Sequence, residues 1–152
     1  TRLLRFGRFA VKGTPVGRPD TFSFLGFTFY CTTTSEGKFK VGLKTEKSRV
    51  KRGLISLKEI TLMFRHCPLK DQVKRINLTL AGHYHYYGIG GNFSSIQRVY
   101  RITVRLWLKA LRSRTQRHNL TWEKYNKILV SFPLLKPRIY VPYTRFNNLA
   151  KL

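Results

Sequence analysis

Apolar and polar positions alternate, with one slip, through the early part of the chain. Phe22 and Phe24 are apolar at even positions, Leu25 breaks the alternation, and Phe27 and Phe29 resume it at odd positions. Period-two alternation marks a half-buried strand. A one-residue phase shift is what a β-bulge produces, and Gly26 is the residue that would accommodate it. After the turn signal Ser35-Glu36-Gly37, the run Lys38-Phe39-Lys40-Val41-Gly42-Leu43 alternates again, which predicts a hairpin from about Phe24 to Leu43. Residues 13–20 hold two Pro and two Gly and read as a loop. The first 43 residues thus read as strands.

The period then changes from two to between three and four. Val50, Leu54, Leu57, Ile60 and Phe64 lie on one helical face, with Thr45 or Ser48 as the cap and Pro68 as the stop. A second helix begins near Leu69 with the stripe Val73, Ile76, Leu80, Tyr84 and Tyr87, and Gly88-Ile89-Gly90-Gly91 terminates it. Asn92 or Ser94 caps the third and longest helix, which runs to about Arg114 on the apolar set Ile96, Val99, Tyr100, Thr103, Trp107, Ala110 and Leu111. Thr121 caps a short fourth helix, with Glu123 in its first turn where a negative charge suits the helix dipole. Trp107 and Trp122 read as core anchors. Pro133, Pro137 and Pro142 keep the tail extended. The fold class expected is α+β: N-terminal strands over 1–43, a helical bundle over 44–131 and an extended tail over 132–152.

Charge changes the picture from a fold to a partner. The 152-residue chain has a formal net charge of +24, and between Asp71 and Glu123 there is no acid at all. Positive charge on that scale repels itself unless a polyanion neutralises it. With hydrophobic residues at 42% of the chain, the charge is displayed on a folded body and not on a disordered tail. Arg98, Arg101, Arg105, Lys109 and Arg112 are spaced three, four, four and three, so they line the face of the third helix opposite its apolar set. Arg114 and Arg117 continue the charge beyond the helix. A merely solvated face normally mixes signs through i,i+4 pairs, and no acid is present here to mix. A membrane-surface helix needs a large exposed apolar face, which this helix requires for the core. Lys44, Lys47 and Lys51 are expected to share a face of the first helix, with Arg49 and Arg52 nearby. Cations at a helix N-terminus oppose the dipole, which favours a bound polyanion. In Gly82-His83-Tyr84-His85-Tyr86-Tyr87, His85 and Tyr86 fall off the apolar stripe and are candidates for stacking on unpaired bases or ribose. Tyr84 and Tyr87 belong to the core.

Other chemistries find little footing. Two-metal phosphoryl transfer needs clustered carboxylates, whereas Asp20, Glu36, Glu46, Glu59, Asp71 and Glu123 are scattered. No P-loop, HExxH or GxSxG occurs, and His83-x-His85 does not place both rings on one helical face. No cofactor is expected. Cys31 and Cys67 lie far apart without a CxxC, which suggests a reducing cytosolic compartment. Thr1-Arg2-Leu3-Leu4-Arg5 introduces charge too early for a signal peptide, and no run approaches the roughly 20 apolar residues of a membrane span. A start at Thr suggests a fragment or a processed product.

The order of motifs resembles the C-terminal part of group II intron reverse transcriptase–maturases. Residues Thr1 to Ala10 look like the strand after the catalytic turn of the palm, Phe24-Leu25-Gly26-Phe27 like a late palm motif, and Lys44 to Ser48 like the start of the first thumb helix. Gly82-His83-Tyr84-His85-Tyr86-Tyr87 matches the family's Gly-(Trp/His)-x-x-Tyr-Tyr element. Leu120-Thr121-Trp122 and Pro137-Arg138-Ile139-Tyr140 resemble its closing segments. The resemblance implies a palm edge followed by a thumb/maturase domain that grips an RNA–DNA or RNA–RNA template–primer duplex and binds intron RNA for splicing. It also implies a finger and palm region as a partner. The family's Tyr-x-Asp-Asp turn, where Mg²⁺ binds, is absent from this chain, so polymerase activity is not expected of it. A generic basic RNA-binding module and a fragment without specific activity are the alternatives.

Overall fold

The computed structural model describes residues 3–8, 19–114 and 119–143. The fold is α+β: among the described residues three strands, β1 (Phe22–Phe24), β2 (Phe27–Thr33) and β3 (Phe39–Thr45), precede four helices, α1 (Lys47–Met63), α2 (Leu69–Tyr87), α3 (Phe93–Arg112) and α4 (Trp122–Ser131). It divides into two compact units, residues 1–49 and 50–152.

In the first unit the strands form an antiparallel sheet in the order β1-β2-β3. β2 and β3 pair from Phe27↔Thr45 to Thr33↔Phe39, the hairpin the alternation predicts. The bulge expected at Gly26 is instead a chain reversal. Phe24 pairs with Phe27, so only Leu25 and Gly26 lie between β1 and β2, and their φ angles are 50° and 78°. Two positive φ angles are the type I′ pattern, whose twist matches that of the strands it joins. A tight reversal shifts the apolar phase just as a bulge does, which is why alternation alone did not separate them. Phe22 and Phe29, paired across the strands, stack at 5.0 Å, and Phe6 meets Phe22 edge-on at 4.9 Å. The strand expected at the N-terminus is not formed over residues 3–8. There, Arg5 and Asp20 exchange two bonds, Arg5 N to Asp20 Oδ2 at 2.9 Å and Asp20 N to Arg5 O at 3.0 Å. Residues 1–2 and 9–10 of that motif, and 13–18 of the expected loop, lie outside the described residues.

Neither expected cap of α1 serves. Thr45 closes β3, Ser48 lies inside the helix, and Arg49 N donates to the Glu46 carbonyl at 3.0 Å. Pro68 does not stop α1, which ends at Met63. It stands at the N-cap position of α2, where a residue without an N–H costs no helical bond.

The second unit is built on a core of Leu57 from α1, Val73, Ile76, Leu80 and Tyr84 from α2, Ile96, Val99, Trp107, Leu108 and Leu111 from α3, Tyr125 from α4 and Leu134 beyond it. Each fully buried large side chain contributes about 1.5–3 kcal/mol. The polar groups inside are matched. Trp107 Nε1 donates to Gln72 Oε1 at 2.9 Å, while Gln72 Nε2 donates to the carbonyls of Cys67 at 2.7 Å and Arg65 at 3.2 Å. One amide thus joins the early part of α2 to the late part of α3 and to the turn after α1, so α2 and α3 run antiparallel. Tyr125 donates to the Val104 carbonyl at 2.7 Å, and burial pushes its ionisation well above the usual phenol range, which keeps the donor proton in place. Trp122, expected inside, is 48% exposed. It is the first residue of α4 and meets Tyr125 only by its edge, at 5.8 Å. Thr121 caps α4 as predicted, accepting from Lys124 N at 3.4 Å. Asn92 occupies the N-cap position of α3, but its side chain turns back to donate to the Tyr87 carbonyl at 2.8 Å.

The segment after α4 is extended and firmly held. Asn77 of α2 donates to the Pro133 carbonyl at 3.1 Å and accepts from Leu135 N at 2.7 Å. Further on, Ile89 and Val141 form a parallel bridge, with Tyr140 N to Gly88 O at 2.7 Å and Gly90 N to Val141 O at 2.7 Å. A side chain at Gly88 or Gly90 would collide with backbone of Tyr84 or Tyr143, so the glycines that end α2 also admit the tail strap.

Candidate nucleic-acid interface

α3 is two-faced by sequence and by structure. Ile96, Val99, Thr103, Trp107, Leu108, Ala110 and Leu111 are buried, whereas Arg98, Arg101, Arg105 and Lys109 are exposed. Over the eleven steps from Arg98 to Lys109, a rise of 1.5 Å each extends this row roughly 16 Å. None of the four has an ion pair or hydrogen bond to its side chain among the described residues. The row carries an electrostatic cost, because Arg101–Arg105 and Arg105–Lys109 are like-charge i,i+4 pairs, each destabilising by about 0.2–0.5 kcal/mol. Guanidinium forks held in a line, with no acid to occupy them, are suited to phosphate oxygens.

The fifth member of the predicted stripe differs. Arg112 is half-buried, and its Nε donates to the Leu120 carbonyl at 2.8 Å. Leaving the last turn of α3, it ties the helix end to the segment before α4. Arg114 is exposed in the following turn, and Arg117 lies outside the described residues.

Lys44, Lys47 and Lys51 do not share a helical face. Lys44 lies in β3 opposite Thr28, with its ammonium 5.3 Å from the Tyr30 ring centre. Lys47 and Lys51 are exposed, one turn apart in α1, whose first turn holds no acid. Strand extends two residues further than alternation suggested, because Thr45 still pairs with Phe27.

At the end of α2 the two aromatic candidates are exposed as predicted. Tyr86 is 53% exposed and meets Tyr87 edge-on at 4.7 Å. His85 Nδ1 lies 2.8 Å from the Ala81 carbonyl, which fixes that nitrogen as the donor, and its ring stacks on Tyr140 at 4.2 Å with 27° between planes. The Arg138 guanidinium carbon stands 5.8 Å from the Tyr140 ring centre. Sequence reasoning did not single out Arg138 or Tyr140 as contacts. The available signal was the alternation Arg138-Ile139-Tyr140, in which the middle residue packs on the core and its neighbours point away. Tyr84 is fully buried as expected, and burial raises its ionisation. Its neighbour His83 packs against Tyr87 at 4.7 Å with its Nε2 buried and without a partner, and desolvation holds it below the usual imidazole range.

Among the described residues no group of three or more His, Cys, Asp or Glu is placed to hold a metal ion, both cysteines are free thiols, and no helix is long and apolar enough to cross a membrane. Comparison of the chain with protein-family models, with curated proteins and with solved structures gave no match.

Proposed function

We propose that the helical unit binds structured RNA by its phosphates, as the thumb/maturase segment of the group II intron reverse transcriptase–maturases that its motifs resemble. In this reading the ligand is intron RNA and the role is to assist splicing. Within an intact parent protein, the same face holds a template–primer duplex during reverse transcription. The finger and palm region would supply the polymerase chemistry and its Mg²⁺, and the work is done in the bacterial cytosol or an organelle matrix. The observation that carries the reading is the exposed row Arg98, Arg101, Arg105 and Lys109 on a helix whose opposite face is buried. A helix that tolerates like-charge pairs along one line is built for a ligand that relieves them.

The test is RNA affinity by fluorescence anisotropy across a salt series. With ~6–8 phosphates contacted, the log–log slope is about −4 to −7. Arg101→Glu with Arg105→Glu should weaken binding by at least an order of magnitude and lower the slope by about 2. The thermal midpoint should hold or rise, because the substitutions place opposite charges three residues from Arg98 and four from Lys109. Unchanged affinity would remove α3 as the interface. Competition at fixed salt between cognate intron RNA and bulk RNA separates the maturase reading from a generic basic module, since equal competition supports only the latter.

A further inference from the structure

The α3 row accounts for phosphates but does nothing with bases. A second surface, at the Gly88–Asn92 end of the α2–α3 hairpin, has the complementary chemistry. His85 and Tyr140 form a stacked ring pair that remains open to solvent, His85 being exposed and Tyr140 37% exposed. Arg138 adds a cation beside the Tyr140 ring. The pair comes from segments more than fifty residues apart, and backbone bonds lock it together. Tyr140 N and Val141 N both donate to the Gly88 carbonyl, at 2.7 and 3.1 Å, and His85 is fixed by its bond to Ala81. A core contact would bury such rings, whereas these are ordered and left wet.

We propose that the His85–Tyr140 stack, with Arg138, is a platform for one unpaired nucleotide of the RNA that α3 holds. The inference rests on the phosphate reading of α3 and names the kind of RNA that fits it best: a duplex ending in, or interrupted by, an unpaired base. A nucleobase extends the stack, and Arg138 meets the phosphate attached to it. Rings already fixed by backbone bonds lose little entropy on stacking. Reach is satisfied as well. Arg98, the first cation of the row, lies six residues beyond Asn92, roughly 9 Å along the helix axis. The row thus begins close to the end of the α2–α3 hairpin that carries the platform.

The experiment compares two duplex RNAs of equal length on the full chain, one blunt at both ends and one carrying a single unpaired 2-aminopurine at one end. The second should bind ~5- to 100-fold tighter, the range that base–aromatic stacking supplies, with the 2-aminopurine emission quenched. His85→Ala should abolish both the gain and the quenching and leave blunt-duplex affinity as it was. Tyr140→Phe, which keeps the ring and the backbone bonds, should retain both. Equal affinity of the wild type for the two RNAs, or a gain that survives His85→Ala, overturns the platform and leaves the α3 reading standing. Failure of the wild type to bind either RNA overturns both.

Discussion

In the sheet, Phe24 and Leu25 stand 61% and 66% exposed at the tip of the β1–β2 hairpin. Along α3 the outward positions are Arg98, Arg101, Arg105 and Lys109, and Ile96, Val99, Trp107, Leu108, Ala110 and Leu111 are closed to water. The hairpin tip and the outer face of α3 each present side chains that folding does not use, apolar at the tip and cationic on the helix. In the sheet Phe27, Leu43 and Thr45 are buried, and Phe24 and Leu25 stay exposed at the hairpin tip. The helical unit closes its core around Trp107, Tyr84 and Tyr125, with Gln72 satisfying the indole, and turns charge outward. A closed core can carry a face of like charges because side-chain packing, and not the surface, holds the helix in place. That is the physical reason α3 can hold such a face, the one proposed to meet RNA.

The sharpest way to break this comparison is to open the helical core. Trp107→Ala removes a fully buried indole, which costs about 3–5 kcal/mol. It also strips Gln72 Oε1 of its donor, a loss that adds about 1–3 kcal/mol. Against a total stability of about 5–15 kcal/mol for a typical domain, the urea midpoint followed at the helical ellipticity should fall steeply. An unmoved midpoint would mean that the core is not organised around Trp107, and that the charged face of α3 rests on something else.

A gentler perturbation acts through pH. His83 packs beside Tyr84 and Tyr87, and a side chain at Gly53 of α1 would lie only 3.5 Å from His83 Nδ1. Desolvation holds its folded-state pKa below the ordinary 6.5. Once pH falls to about that ordinary value the unfolded chain binds a proton that the folded one refuses, so the unfolded state gains. Stability is therefore full above pH 6.5 and declines as pH drops toward the lowered folded value. Urea midpoints at pH 7.5 and pH 5 should differ in the wild type, and the part of that difference due to His83 should vanish in His83→Phe. An equal decline in both proteins would assign the acid sensitivity to other groups.

Much of the helical unit was legible because its signals are local. A 3.6-residue period needs only one helix to show itself, so the buried sets of α2 and α3 and the Thr121 cap could be read directly. What was not legible depends on the chain meeting itself. Arg112 has the spacing of a surface cation, and only the return of Leu120 makes it half-buried. Lys44 has helical spacing to Lys47 and Lys51, but cross-strand pairing carries β3 through Thr45. The Asn77 bonds to the strap and the Ile89–Val141 bridge join residues more than fifty positions apart, and nothing local announces them. For that reason His85 could be proposed as a contact from sequence while Tyr140, its stacking partner, could not.

The smallest effect expected lies at the exposed tip of the sheet and sharpens the contrast from the other side. Leu25 has φ of 50° at the first position of a two-residue turn. Leucine in that region costs about 1–2 kcal/mol, much of which Asn recovers because its short polar side chain bonds to the local backbone, and Asn followed by Gly is the pair that such a turn favours, with Gly26 already in place. Leu25→Asn should therefore stabilise the β1–β2 hairpin by about 1 kcal/mol, because an exposed leucine gives up little burial in exchange. Hydrogen exchange of the cross-strand amides of Phe24 and Phe27 should slow by about fivefold, the equivalent of that free energy at room temperature. The helical amides of α2 and α3 report on a different core and should keep their protection. If the hairpin amides exchange faster, Leu25 is contributing apolar contact that outweighs its backbone strain, and the edge of the sheet is less surplus than its exposure suggests.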